Sequence, residues 1–222
     1  MITQLPRRSV PSPPTRERLL DVAARLFREK GYGATGVAEI LKEAGANAGS
    51  LYHFFPTKQD LLLAVLERYR AGIRPMLLEP AWRKVRDPVA RVLALLGAYR
   101  RFLAETDCAY GCPIGSLALE LHEPDPPVRR ALAANFKAWT QAVRECLEEA
   151  GDRLPAEVKP AEMALFVLAT MEGAVMQART HRSLQAFDAS VRQLRDYFDR
   201  LGRDARRARR SRAPATTKET TR

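Results

Sequence analysis

The chain has 222 residues, 46% of them hydrophobic, with three cysteines and a formal charge of +11. This length buries a sizeable core in one domain or two small ones, and three cysteines make no disulfide framework, so reduced thiols are expected. The longest apolar runs, such as "VLALLGAY" and "MALFVLATM", fall short of the roughly 18–20 residues of a bilayer span, and no apolar signal core opens the sequence. A cytoplasmic protein without membrane contact is the expectation.

The excess charge lies at the ends. Residues 1–14 carry Arg7 and Arg8, and residues 203–222 carry eight basic and two acidic groups, which leaves +3 for residues 15–202. Pro6, Pro11, Pro13 and Pro14 mark a disordered arm over 1–14, and "RRARRSRAPATTKETTR" marks a disordered basic tail over 203–222, neither apolar enough to offset ordering entropy. The tail either adds sequence-independent attraction to phosphates or is a solvated, solubilising end.

Between the ends the pattern is helical. Thr15 is the expected N-cap of a first helix over 15–30, where Leu19, Val22, Ala23, Leu26 and Phe27 recur with the helical period. Gly31 and Gly33 end it. Thr35 opens a short second helix with Val37, Ile40 and Leu41 on one face, closed by Gly45. Asn47 caps a third over 48–54, and Thr57 with Asp60 forms a capping-box variant for a fourth from Lys58 into the seventies. Further helices are expected over 88–105, 111–122, 127–150, 161–181 and 187–202. No stretch alternates with β periodicity, so the fold class is all-α.

Two short helices around a tight turn at Gly45, Ala46 and Asn47 match a helix-turn-helix, whose second helix lies in the major groove of DNA. Ala48, Gly49 and Ser50 let its first turn approach the groove and aim free N–H groups and the positive dipole end at phosphate. Leu51 and Phe54 are spaced to face the core, leaving Tyr52 and His53 outward. Lys58 opposes the dipole of the next helix, which a neighbouring phosphate would explain.

Residues 15–68, "TRERLLDVAARLFREKGYGATGVAEILKEAGANAGSLYHFFPTKQDLLLAVLER", resemble the TetR family of transcriptional regulators. The pattern is carried by Phe27, Gly31, Tyr32, Thr35, Ile40, Ala44, Gly45, Leu51, Tyr52, Phe54, Phe55, Lys58 and Leu61. The resemblance implies a three-helix DNA-binding domain over 15–60 and a helical ligand-binding and dimerisation domain over 61–202. It also implies a homodimer on a palindromic double-stranded DNA operator, usually a repressor relieved by a small-molecule effector. Thr35, Asn47, Gly49, Ser50, Tyr52, His53 and Lys58 are the DNA-binding candidates it brings forward. Tyr32 either packs between helices or touches a phosphate, and Thr35 is either a cap or a backbone contact. Ala46-Asn47 stands where the family commonly has Val-Ser, and Gly36 where it has a second Thr, so base preference is not carried over.

The second half has no catalytic grammar and implies no cofactor. Ala164, Leu168, Met171 and Val175, with Val191, Leu194, Phe198 and Leu201, form stripes suited to helix packing. The resemblance implies a four-helix dimer interface there; an intramolecular core is the other reading. Only His53, His122 and His181 accompany the cysteines, too few at workable spacing for zinc, and a Cys with a His ten residues on lacks an orienting acid. "GCPIGSLALEL" resembles a TetR subgroup with a Gly-Cys-x-x-Gly helix beside the ligand pocket, including repressors that sense electrophiles. Cys112 at a helix N-terminus would favour its thiolate; otherwise it is a small buried hydrophobe. An apolar pocket lined by Tyr99, Phe102, Cys112, Trp139 and Met171 is expected, for a hydrophobic or electrophilic effector. A thiol enzyme using Cys112 and a nucleic-acid-coating protein using its tails are the competing readings.

Overall fold

Helix α1 (Thr15–Lys30) buries Leu19, Leu20, Ala23, Leu26 and Phe27 along one face. Thr15 lies inside it, and Pro14, which has no capping side chain, precedes it, so the expected Thr15 cap is corrected. Residues 14–212 are the part of the chain that the structure, a computed structural model, describes. The expected disorder of residues 1–13 and 213–222 lies outside the described residues.

Helices α2 (Val37–Ala44) and α3 (Ala48–Phe54) meet at Gly45, whose φ of 56° lets its N–H reach the Leu41 and Lys42 carbonyls. That left-handed conformation is the one glycine adopts without strain. Helix α4 (Lys58–Gly72) opens with a reciprocal capping box between Thr57 and Asp60 and buries Leu61, Leu62, Val65 and Leu66. Ile40, Leu51 and Phe55 close the small core of this first bundle.

From α4 the chain runs through a π-helical turn at Ile73–Leu78 into the short α5 (Glu79–Trp82), neither of which was expected from the sequence. Then follow α6 (Pro88–Glu105), α7 (Pro113–Glu120), α8 (Pro126–Ala150), α9 (Pro160–His181) and α10 (Gln185–Arg212). Prolines open α6 to α9 at the first helical position, where a missing N–H leaves no bond unmade. No strand occurs among the described residues. Helix α8 packs on α4, α6 and α9, and α9 packs on α10.

One expectation is corrected here, and one of two open readings is favoured. Helix α10 does not stop at Gly202: Ala205 is buried and Arg209 pairs with Asp152 at 3.0 Å, so residues 203–212 are helical and docked. The stripe residues Ala164, Met171, Val175, Leu194 and Phe198 are buried within the chain, which favours the intramolecular-core reading of the two left open. The outward apolar side chains of α9 and α10 are Leu165, Phe166, Met176 and Tyr197, with the Phe166 and Tyr197 rings edge to face at 6.2 Å. Helix α9 is also long and apolar enough, by length and composition alone, to cross a membrane, although the apolar runs read as too short. Here its inner face packs against α8 and α10.

Candidate nucleic-acid interface and effector cavity

Asn47 fixes the start of α3 because its side chain accepts the Ser50 N–H at 2.8 Å. Gly49 is exposed beside it, and Ser50 is half-buried. Leu51 points inward and is fully buried, while its neighbour Tyr52 is 52% exposed and His53 is exposed as well. Phe54 departs from the expected pattern: it is 38% exposed and its ring stands edge to face with His53 at 4.9 Å. Phe55 is buried in its place. Helix α3 ends at Phe54 and Phe55 is extended, so the side chain after the helix turns into the core.

Thr35 has no exposed surface, and its hydroxyl donates to the Gly31 carbonyl at 2.7 Å. It braces the α1–α2 loop, which corrects its place among the DNA-contact candidates. Lys58 also has a partner inside the chain. Its ammonium donates to the Tyr32 carbonyl at 2.5 Å and lies 4.2 Å from the Tyr32 ring centroid. Desolvation there lowers its pKa. This intrachain partner offers an account of the cation at the start of α4 beside the expected phosphate. The Tyr32 ring meets Phe27 edge to face at 5.3 Å, so the packing reading of Tyr32 holds.

A second tie holds this loop, from a residue that the sequence reading did not single out. Glu120, the last residue of α7, accepts the N–H groups of Tyr32 at 2.9 Å and Gly33 at 2.6 Å. Two successive backbone donors and two glycines nearby are a local hint of an anion seat, but its occupant comes from 87 residues away.

Behind the helix-turn-helix bundle, the candidate DNA reader, lies a cavity of about 450 Å³. Tyr99, Phe102, Cys112 and Trp139 line it as expected, and Ala24 of α1 and Tyr69 of α4 complete a wall toward the reader. The Tyr99 and Trp139 rings are 5.2 Å apart. Met171 is buried in the core and does not line this cavity, which corrects its placement. Asn135, also at the wall, donates to the Leu66 carbonyl of α4 at 3.0 Å, while its buried Oδ1 has no partner.

Cys112 does cap a helix N-terminus, and its sulfur accepts the Gly115 N–H at 3.5 Å. The thiolate is nonetheless disfavoured. Burial, reinforced by the Glu172 carboxylate, pushes the thiol up to about 12. Weak contacts from the Gly115 and Ile114 N–H groups do not offset the loss of water around a buried anion. Alkylation of Cys112 by iodoacetamide is therefore expected to be slower than that of a free thiol, roughly a hundredfold or more at pH 8, and to rise with pH beyond 10. Mass spectrometry of the labelled peptide checks this, and rapid labelling at pH 7 contradicts it. Among the described residues no cluster of His, Cys, Asp and Glu is fit to hold a metal.

Comparison with known proteins agrees with this architecture. Residues 19–65 match the family of bacterial regulatory proteins, tetR family, and residues 88–193 match the C-terminal domain of LmrA/YxaF-like transcriptional regulators. The uncharacterized HTH-type transcriptional regulator YxaF of Bacillus subtilis is 32% identical over 168 residues, covering 76% of this chain and 86% of that protein. The HTH-type transcriptional repressor DhaR of Mycobacterium sp. is 25% identical, covering 79% and 87%. The crystal structure of a TetR transcriptional regulator from Chloroflexus aurantiacus superposes with a TM-score of 0.74 at 29% identity, covering 83% and 94%. These are transcriptional regulators and not enzymes. With a helix-turn-helix at its front, a helical domain behind it and matches over both, the chain belongs to the TetR family of DNA-binding transcriptional regulators.

Proposed function

We propose that the protein is a cytoplasmic, homodimeric repressor that binds an inverted-repeat operator through α3 and releases it when a small apolar molecule enters the cavity behind the reader. The observation that carries this reading is the cavity's wall: residues of α1 and α4 line it together with residues of α6 and α8. A ligand there touches the reader's own helices, so it has a physical route to unequal affinity for two reader positions. Such a difference is required, because equal binding to both shifts nothing. The DhaR relative, named a repressor, supports the sign of the output. The free acceptor on Asn135 favours effectors that add a hydrogen-bond donor to an apolar body.

Asn47, Gly49, Ser50, Tyr52 and His53 form the surface assigned to DNA. Tyr52→Ala is expected to lower operator affinity about ten- to hundredfold, the range of one good base contact, with an unchanged melting temperature. Full affinity in that variant, read by titration at fixed salt, contradicts the assignment.

A noncovalent effector fits the buried, protonated Cys112 better than an electrophile does. Operator release by a panel of apolar alcohols and electrophilic enones, compared between wild type and Cys112→Ser, tests this. Equal release by the alcohols in both proteins is the expected result. Release confined to enones and lost in Cys112→Ser favours covalent sensing, and no release with no rise in melting temperature rejects the cavity as effector site.

A further inference from the structure

We propose that Glu120 is a positioning residue for DNA binding: it ties the α1–α2 loop of the reader to the far end of the helix whose near end borders the cavity. The claim rests on the effector-site reading above only for its regulatory sense. The contact stands on its own geometry.

Three observations converge on it. The carboxylate takes both oxygens to successive backbone donors, Tyr32 N–H at 2.9 Å and Gly33 N–H at 2.6 Å. The loop is built for this approach, since a Cβ at Gly31 would stand 2.8 Å from one Glu120 oxygen and a Cβ at Gly33 would stand 3.2 Å from the other. The Tyr32 peptide is held from its opposite side as well, by the Lys58 ammonium on its carbonyl. Lys58 begins α4 directly after the recognition helix and its short turn, so one peptide unit joins the effector half, the α1–α2 loop and the start of α4.

Helix α7 gives this tie a direction. Its N-cap is Cys112, and Cys112, Pro113 and Ile114 line the cavity; its last residue is Glu120. Eight helical residues make a rod about 12 Å long, too short to absorb a displacement by bending. A group that pushes on the Cys112 end therefore moves the carboxylate at the other. Charge-assisted bonds to backbone N–H groups hold their geometry more tightly than neutral ones, so the loop follows the carboxylate. A second contact runs parallel: the Arg28 guanidinium lies 5.0 Å from the Tyr110 ring centroid. It touches no backbone of the loop and leaves the tie to Glu120.

The test uses the full-length protein and an operator recovered from a random DNA pool. In Glu120→Ala, hydrogen exchange at the Tyr32 and Gly33 amides is expected to quicken about tenfold, with exchange in the α8 core unchanged. Glu120→Gln, which keeps one acceptor oxygen, is expected to restore protection to one of the two amides. Gly33→Ala, which crowds the carboxylate from the loop side, is expected to mimic Glu120→Ala. Cys112→Phe serves as a built-in occupant of the cavity, with Ile114→Ala as a second perturbation of the same helix end. Either is expected to lower operator affinity about tenfold when Glu120 is present and by no more than about twofold in the Glu120→Ala background. Equal losses in both backgrounds, or unaltered exchange at Tyr32 and Gly33 in Glu120→Ala, overturn the proposal. Failure of every small molecule to bind the cavity would instead remove the effector reading and leave these substitution results to decide on Glu120.

Discussion

Leu51→Ala is expected to lower the stability of the reader by about 2–5 kcal/mol and to abolish operator binding at ordinary protein concentrations. Leu51 is fully buried and is the buried side chain through which α3 joins the core. A helix of seven residues is not stable alone, so it depends on that anchor. Loss of the anchor therefore costs both packing and the position of every exposed side chain on α3. Leu51→Met, which conserves volume, is expected to cost less than about 1.5 kcal/mol and to keep binding. Urea unfolding with titration of a labelled operator checks the pair. The account is wrong about α3 if Leu51→Ala binds DNA like the wild type.

Phe166→Glu is expected to convert the protein to a monomer and to lower affinity for an inverted repeat by about 10²–10⁴, the advantage lost when two half-sites are no longer bound by linked readers. Phe166, Leu165, Met176 and Tyr197 lie on the outer side of the two terminal helices, and an apolar face of this kind is suited to a self-complementary twofold contact. Burying a carboxylate at its centre opposes association without touching the inner face of α9, so the protomer itself keeps its melting temperature. Sedimentation velocity reads the result. A stable dimer in Phe166→Glu would move the interface elsewhere.

The reader was legible in the sequence because its signals are local. Gly45, Asn47, Thr57 and Asp60 act within one turn of where they stand, and their roles follow from spacing. Asn47 caps α3 and Thr57–Asp60 caps α4 as their chemistry requires. Phe54 was read as facing the core because it follows Leu51 by three residues, but it is the last residue of α3, and the extended Phe55 after it takes the core position instead. The contact between Lys58 and the Tyr32 carbonyl was not legible because that partner is contributed by another turn of the fold.

The second half was less legible for the same reason at longer range. Apolar residues occupy more than one face of α9, so periodicity named the face that packs internally and left the outward one, at Phe166 and Met176, unassigned. Gly202 read as a helix end, whereas α10 continues: Ala205 is buried and Arg209 pairs with Asp152 just beyond α8. Cys112 stands at a helix start, the condition under which its thiolate was expected to be favoured, but its titration depends on burial and on Glu172, neither of which a local pattern contains.

Selection of bound sequences from a random DNA pool at fixed salt, followed by footprinting of the winner and measurement of the stoichiometry of the complex, decides whether the protein reads DNA with twofold symmetry. The expected product is an inverted repeat with half-sites about one helical turn, roughly 34 Å, apart or somewhat more, bound by two protomers with one α3 per half-site. Recovery of an asymmetric site bound by a single protomer, or of no preferred sequence at all, would contradict it.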